Sequence, residues 1–330
     1  MPMGIDRRRF VKNSLLASAG AALAAQTADG KERQAPAQTA KEETALLPCG
    51  QIAGLTISRL LLGGNLLTHY THSRDLKYVY RLAAQYNTED KILQTLALAE
   101  QHGINTLVIH NVPEVMAILK KHRERGGKMQ WITCTYHALA RRDLDRFKRE
   151  VEQLIQHGTN ALYISGVEAD ILCGFLKPIY GPDADERTGV PQLDLLAKAL
   201  EFCKSQGLPT GIGAHRMGVL VDCEKAGLDA DFYVKTFHSQ QYPSVNLNYD
   251  SRWCSRPQEL AEFMQHVEKP WIAFKVMAAG AIPPQRAFRY AFQHGADFVL
   301  AGMFDFEIAQ DVQIAAGILK RIRRKRPWRA

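Results

Sequence analysis

Apolar runs in this chain end, one after another, in side chains that can move protons or bind ions. Asn65 follows "LLLGG", His110 closes "TLVIH", Cys134 closes "WITC", and Ser165 closes "LYIS" with Glu168 three residues on. His215 and Arg216 follow "GIGA", His238 follows "KTF", Lys275 sits in "AFKVM", and Asp305 follows "AGMF". If the runs are strands of one sheet, these groups collect at one edge, where a merely stable protein needs none of them. His110, Glu168 and Lys275 are the candidates for acid–base catalysis, because imidazole, carboxylate and a desolvated amine are groups whose pKa values burial moves toward neutrality. An inward-pointing Lys275 suits Schiff-base or general-base work, whereas one that meets a buried carboxylate is an ion pair; Lys235 poses the same alternative. His215 and His238, on neighbouring runs, form with Asp305 a candidate divalent-metal set that leaves positions open for water or substrate. Asn65, Arg216, Asp250 and Trp253 are the candidate substrate contacts. The last two lie in "SQQYPSVNLNYDSRWCS", a stretch without helix or strand period whose aromatic, amide and acidic groups suit a sugar-like ring.

The elements that must position these groups follow from the apolar pattern. Strand-like runs fall near 56–62, 105–110, 129–134, 161–165, 210–215, 232–237, 271–276 and 298–303, each followed by a helix-period segment. The triplet Gln-His-Gly recurs at 101–103, 156–158 and 293–295, each time between a helical pattern and the next apolar run. It reads as helix punctuation: glycine supplies the left-handed residue after the helix, and the histidine sits near the exposed last carbonyls. Alternating β and α units with apolar, non-alternating strands imply a parallel sheet covered by helices. Eight such units predict an α/β fold, a closed (β/α)8 TIM barrel spanning residues 46–319, with its site at the C-terminal strand ends.

Residues outside the barrel have other uses. "DRRRFVK" followed by "NSLLASAGAALAAQ" resembles a twin-arginine signal peptide over residues 1–25, with Arg7, Arg8, Phe10, Val11 and Lys12 matching the pattern. That resemblance implies the twin-arginine translocation machinery as a partner and a periplasmic or otherwise exported protein. The apolar run is too short for a stable membrane span. Residues 26–45, rich in Ala, Gln, Lys and Glu, read as a disordered linker. The formal charge of +8 is not a nucleic-acid signal, because residues 1–24 and the basic tail 320–330 together carry more than the whole excess. A solvated final turn is the expectation for that tail. The six cysteines show no C-x-x-C spacing, which argues against a zinc ribbon or a disulfide scaffold.

"ISRLLLGGN" and "TEDKILQTLALAEQHGINTLVIH" are similar to the opening of the aldo-keto reductases, a glycine turn after the first strand and "GIN" before the second. That family reduces carbonyls with NAD(P)H through an Asp, a Tyr, a Lys and a His. Here Val108 stands at the Asp position, no Tyr follows, Thr133 or Cys134 replaces the Lys, and Ser165 or Gly166 replaces the His. The later segments "WIAFKVMAAGAI" and "GADFVLAGMFDFE" look like those of exported bacterial barrel proteins related to the reductase fold, a similarity that implies the fold and the exported compartment but not the reaction. The resulting expectation is an exported TIM-barrel enzyme that uses acid–base chemistry, with a divalent metal as candidate cofactor, on a small polar, carbohydrate-derived substrate. An NAD(P)H-dependent oxidoreductase with a replaced tetrad and a non-catalytic sugar-binding barrel are the alternatives. Replacing Arg7 and Arg8 by lysine is expected to hold the protein in the cytoplasm, which fractionation of the native host reads directly; normal export of the double variant would defeat the signal assignment.

Overall fold

The computed structural model describes residues 47–176, 186–246 and 254–330. The signal and linker segments, Asp250, Trp253 and residues 177–185 lie outside the described residues. The chain enters through a hairpin, β1 (Cys49–Ile52) and β2 (Leu55–Ser58), paired antiparallel from Cys49 opposite Ser58 to Ile52 opposite Leu55. Its two-residue turn, Ala53 and Gly54, has positive φ at both positions, the turn whose twist matches a hairpin. Sequence periodicity merges β2 with the next strand; Arg59 is the residue that separates them.

Eight parallel strands then close a barrel: β3 (Leu60–Gly63), β4 (Thr106–His110), β5 (Gln130–Cys134), β6 (Ala161–Ile164), β7 (Thr210–Ala214), β8 (Phe232–Thr236), β9 (Trp271–Phe274) and β10 (Phe298–Ala301). β10 pairs with β3 to complete the ring. This is the expected (β/α)8 fold. Helices on the outside are α1 (Lys77–Tyr86), α2 (Glu89–Gln101), α3 (Pro113–Glu124), α4 (Leu144–Gln156), α5 (Gly166–Leu172), α6 (Leu193–Ser205), α7 (Met217–Lys225), α8 (Pro257–His266), α9 (Pro284–Gln293) and α10 (Asp305–Leu319). Strand alternation divides the core into two layers. Leu61, Val108, Ile132, Ala161, Val234, Ile272 and Phe298 fill the barrel, while Leu60, Leu62, Leu107, Ile109, Trp131, Leu162 and Trp271 face the helices. Both faces being apolar is why the strands show no polar alternation in the sequence.

The three Gln-His-Gly triplets act as expected. His102, His157 and His294 are the C-cap residues of α2, α4 and α9, and Gly103, Gly158 and Gly295 follow with φ of 85°, 85° and 112°. His294 Nδ1 lies 2.9 Å from the Tyr290 carbonyl, which also accepts from the His294 amide at 3.1 Å.

The N-terminal end of the barrel is sealed in two ways. Ile52 and Ile57 of the hairpin join the interior layer from below. The basic tail is the second seal, and here the expected solvated turn is corrected. Arg326 is fully buried: Nη1 donates to Asp297 Oδ2 at 2.6 Å, and Nη2 donates to the Val267 and Lys269 carbonyls at 2.7 and 2.8 Å. Arg324 donates to the Ala296 carbonyl at 2.6 Å and to Asp297 Oδ1 at 3.4 Å. Trp328 lies under both Arg324 and Arg59, whose guanidinium carbons stand 3.4 and 3.9 Å from its ring centre. Composition marks these arginines as surface groups; they fold inward because carbonyls at the end of α9 and beside β9 need donors, and a guanidinium offers several in one plane. Burial lowers the pKa of Arg324 to about 10, opposed by Asp297. Asp297→Asn, which leaves Arg326 buried without its countercharge, is expected to cost about 3–5 kcal/mol in chemical denaturation. His102→Asn is expected to cost at most about 1 kcal/mol, the scale of a cap contact.

Candidate functional site

The opposite end of the barrel is built around one close approach. Gly213 of β7 has no side chain where a Cβ would lie 2.7 Å from the Gly166 amide nitrogen, so the first turn of α5 settles directly on the barrel. Gly166 in turn faces the next inward residue, with its position for a Cβ 3.0 Å from His215 Cε1. Asp170, one helical turn after Gly166, therefore faces the barrel too. Its Oδ2 lies 2.9 Å from His215 Nδ1, and its Oδ1 accepts from the His215 and Arg216 amides at 3.2 and 3.1 Å. Arg216 adds a contact of 3.5 Å from Nη1 to Oδ2. A carboxylate can only accept, so the proton of the neutral imidazole resides on Nδ1 and the lone pair on Nε2. Burial keeps His215 below its ordinary pKa, against the pull of Asp170 and with help from Lys275 and Lys235.

Lys235 supports this arrangement from beneath. Its ammonium donates to the His215 carbonyl at 2.9 Å and to Thr236 Oγ1 at 2.7 Å. The alternation of β8 explains its path, since Tyr233, on the same side of the strand, reaches outward to Glu224 of α7. Lys275 behaves differently. β9 ends at Phe274, and Lys275 just beyond it has a left-handed φ of 58°. Its Nζ lies 2.6 Å from His72 Nε2 and 5.6 Å from the centre of the Phe274 ring. Phe274 stands 5.7 Å from the His215 ring, so Lys275, Phe274 and His215 line one side of the mouth.

His110 occupies the end of β4. Its pKa falls to about 4, chiefly through burial and then through the charge of Lys275. Its Nδ1 is buried with no hydrogen-bond partner. The Tyr70 ring meets it edge-on at 5.5 Å. Asn65 lies in the turn after β3 at the same end, its carbonyl accepting from the Tyr70 amide at 2.9 Å.

Three expected roles do not follow from this geometry. Glu168 is fully buried and its oxygens are committed: Thr135 Oγ1 and the Leu139 amide each donate to it at 2.8 Å, and Ser165 Oγ at 3.2 Å. It anchors the loop after β5 instead of facing the mouth. Asp305 opens α10, where Tyr86 Oη donates at 2.6 Å and Lys91 Nζ pairs at 2.8 Å, so it does not complete a set with the two histidines. His238 Nδ1 lies 3.2 Å from the Ser239 carbonyl, and His215 is committed through Nδ1 to Asp170. Among the described residues no three His, Cys, Asp or Glu side chains gather as a metal site. The sequence reading missed Asp170, which sits in a helix and not at a strand end. Its position four residues after Gly166 was the available signal.

No family model matches the sequence, and no curated protein does. Solved structures match through the fold. A Pseudomonas aeruginosa protein assigned to the aldo-keto reductases superposes with a TM-score of 0.55 at 16% identity, over 84% of this chain and 99% of that one. The apo form of Gox0644 gives 0.52 at 12% identity over 84% of this chain and 95% of that one, and a variant of Gox0644 in complex with NADPH gives 0.51 at 10% over 84% and 89%. The chain is a (β/α)8 barrel of the architecture these proteins share.

His110 makes the site testable without a substrate. In the unfolded chain it takes a proton near its ordinary value of 6.5, whereas in the fold it resists to about 4. The stability from its neutral burial is thus intact above 6.5 and is lost as pH falls toward 4. The Cε1 proton of His110 is expected to titrate in NMR with a midpoint near 4, and Lys275→Gln should raise that midpoint. A midpoint near 6.5 would show an imidazole in contact with water and remote from Lys275.

Proposed function

We propose that the protein is an exported enzyme that transfers protons on a small, polar, carbohydrate-derived substrate at the barrel mouth. The observation that carries this reading is the buried Asp170–His215 pair, with Lys275 on the same side of the mouth. In this reading His215 Nε2 takes a proton from the substrate, Asp170 holds the tautomer and stabilises the imidazolium, and the Lys275 ammonium balances negative charge that develops on substrate oxygen. His110, kept neutral across the physiological range, hydrogen-bonds the substrate. A divalent metal is not given a step, because Asp305 is tied to Tyr86 and Lys91. Export rests on the arginine pair and apolar run of residues 1–25.

A second reading is nicotinamide-dependent reduction, favoured by the shared barrel architecture and by the NADPH bound to one protein that has it. The strand ends carrying Cys134 and Ser165 speak for proton transfer instead, since neither supplies the cationic or imidazole group of the reductases. Nucleotide difference spectra separate the two.

The direct test is exchange of carbon-bound protons in D2O, followed by NMR across aldoses, ketoses and uronic acids. Wild-type protein is expected to exchange the proton beside the carbonyl of at least one of them, and His215→Gln to slow that exchange about 100-fold or more. Asp170→Asn should slow it too, by leaving the wrong tautomer. An absence of exchange with every sugar, or equal rates in wild type and His215→Gln, would overturn the reading; binding without exchange would make the protein a sugar-binding barrel.

A further inference from the structure

The mouth carries a feature that proton transfer at His215 does not use. Tyr70, on the loop after β3, and Tyr136, on the loop after β5, are 44% and 41% exposed, and unlike the exposed Tyr78, Tyr80, Phe306 and Trp328 they lie on loops that follow barrel strands. β3 and β5 are the two neighbours of β4, so these loops flank the strand that ends in His110. Burial raises the pKa of Tyr136, and the neighbouring Tyr70 adds to the rise. Tyr70 meets His110 edge-on, and Tyr136 stands 3.8 Å from the His137 ring.

Both rings are held in place. Each tyrosine follows or precedes a histidine with left-handed backbone, His69 at φ 58° and His137 at φ 65°, a conformation that costs energy in a residue with a side chain. His69 Nε2 is fixed 2.9 Å from the Asn87 carbonyl. Glu150 of α4 ties the other side: its Oε1 accepts from the Tyr136 amide at 2.8 Å and from Asn111 Nδ2 at 3.3 Å, joining the loops after β4 and β5. Beside Tyr70 lies His110, whose buried Nδ1 has no hydrogen-bond partner among the described residues. Exposed aromatic rings on two loops held at their backbones, flanking a polar side chain with an unused hydrogen-bonding atom, describe a ligand subsite more than a packed surface.

We propose that Tyr70 and Tyr136 form a stacking subsite for a pyranose ring, which hydrogen-bonds His110 and Asn111 while its C–H face lies on the tyrosines. The proposal rests on the carbohydrate reading above and names the groups that would recognise it. A pyranose fits because its axial C–H bonds offer an apolar face to aromatic rings while its hydroxyls both donate and accept, as uncharged imidazole, amide and phenol groups require. Glu150 is a positioning residue here, because it acts through the Tyr136 amide.

Saturation-transfer NMR with methyl gluco-, galacto- and mannopyranosides tests the subsite, with phenol and adenosine as flat non-sugar ligands. Transfer is expected to the ring C–H protons of at least one pyranoside, to weaken about tenfold in Tyr70→Ala and in Tyr136→Ala, and to persist in Tyr136→Phe and His215→Gln. Intermolecular NOEs from the tyrosine ring protons of the wild-type protein give the same readout without a substitution. No transfer to any pyranoside, transfer indifferent to both alanine variants, or transfer to phenol or adenosine alone would overturn the proposal. Pyranoside binding that depends on the tyrosines without proton exchange would leave the subsite standing and remove the chemistry at His215. Exchange that is indifferent to both tyrosines would do the reverse.

Discussion

The Asp170 carboxylate is the point on which the mouth depends. It is buried, and it is balanced by two backbone amides, one imidazole and one guanidinium, all from His215 and Arg216. A buried charge is tolerable only when it is paired and hydrogen-bonded, so removing any one of these partners would disturb the rest. The contact also fixes geometry: α5 can press on β7 only because Gly166 and Gly213 lack side chains. Two glycines thus bring a helical carboxylate to a strand-end histidine.

The two ends of the barrel divide the work. At the N-terminal end Asp297 gathers Arg324, Arg326 and the Trp271 and Arg329 amides, while hairpin residues Ile52 and Ile57 close the interior. Charge there is neutralised and water excluded, which serves stability. At the C-terminal end the ionisable groups are held by one another and by backbone carbonyls. Burial shifts His110 and His215 in the same direction, toward the neutral imidazole that accepts protons. This separation is the general logic of the fold, in which strand ends on one face carry chemistry and those on the other carry cohesion.

Similarity to the solved structures concerns the scaffold. At 10–16% identity the barrel is retained while the groups at its strand ends are free to differ. Here β5 ends in Cys134, whose thiol burial pushes up to about 12, and β6 leads into Ser165, which caps α5. Neither is placed to deliver a proton. The titratable groups instead cluster around β4, β7 and β9.

The sequence by itself determined the order of elements and the closure of the barrel, because strand and helix periods are local properties written in consecutive residues. The positions of His102, His157 and His294 at helix ends were legible for the same reason. His110, His215 and Lys275 were legible as strand-end groups, since the barrel brings every strand end to one rim. Only the tertiary structure decided which of them share a site. Glu168 and Asp170 are two residues apart on α5, yet one anchors a loop and the other orients a histidine. Asp305 and His238 stand at strand ends like His215, yet Asp305 turns to α1 and α2. Arg324 and Arg326 of the tail read as solvated and fold inward, because the carbonyls they satisfy belong to segments 28 to 59 residues away in sequence. Pairing at such separations depends on close approach, glycine by glycine, and no period in the chain records it.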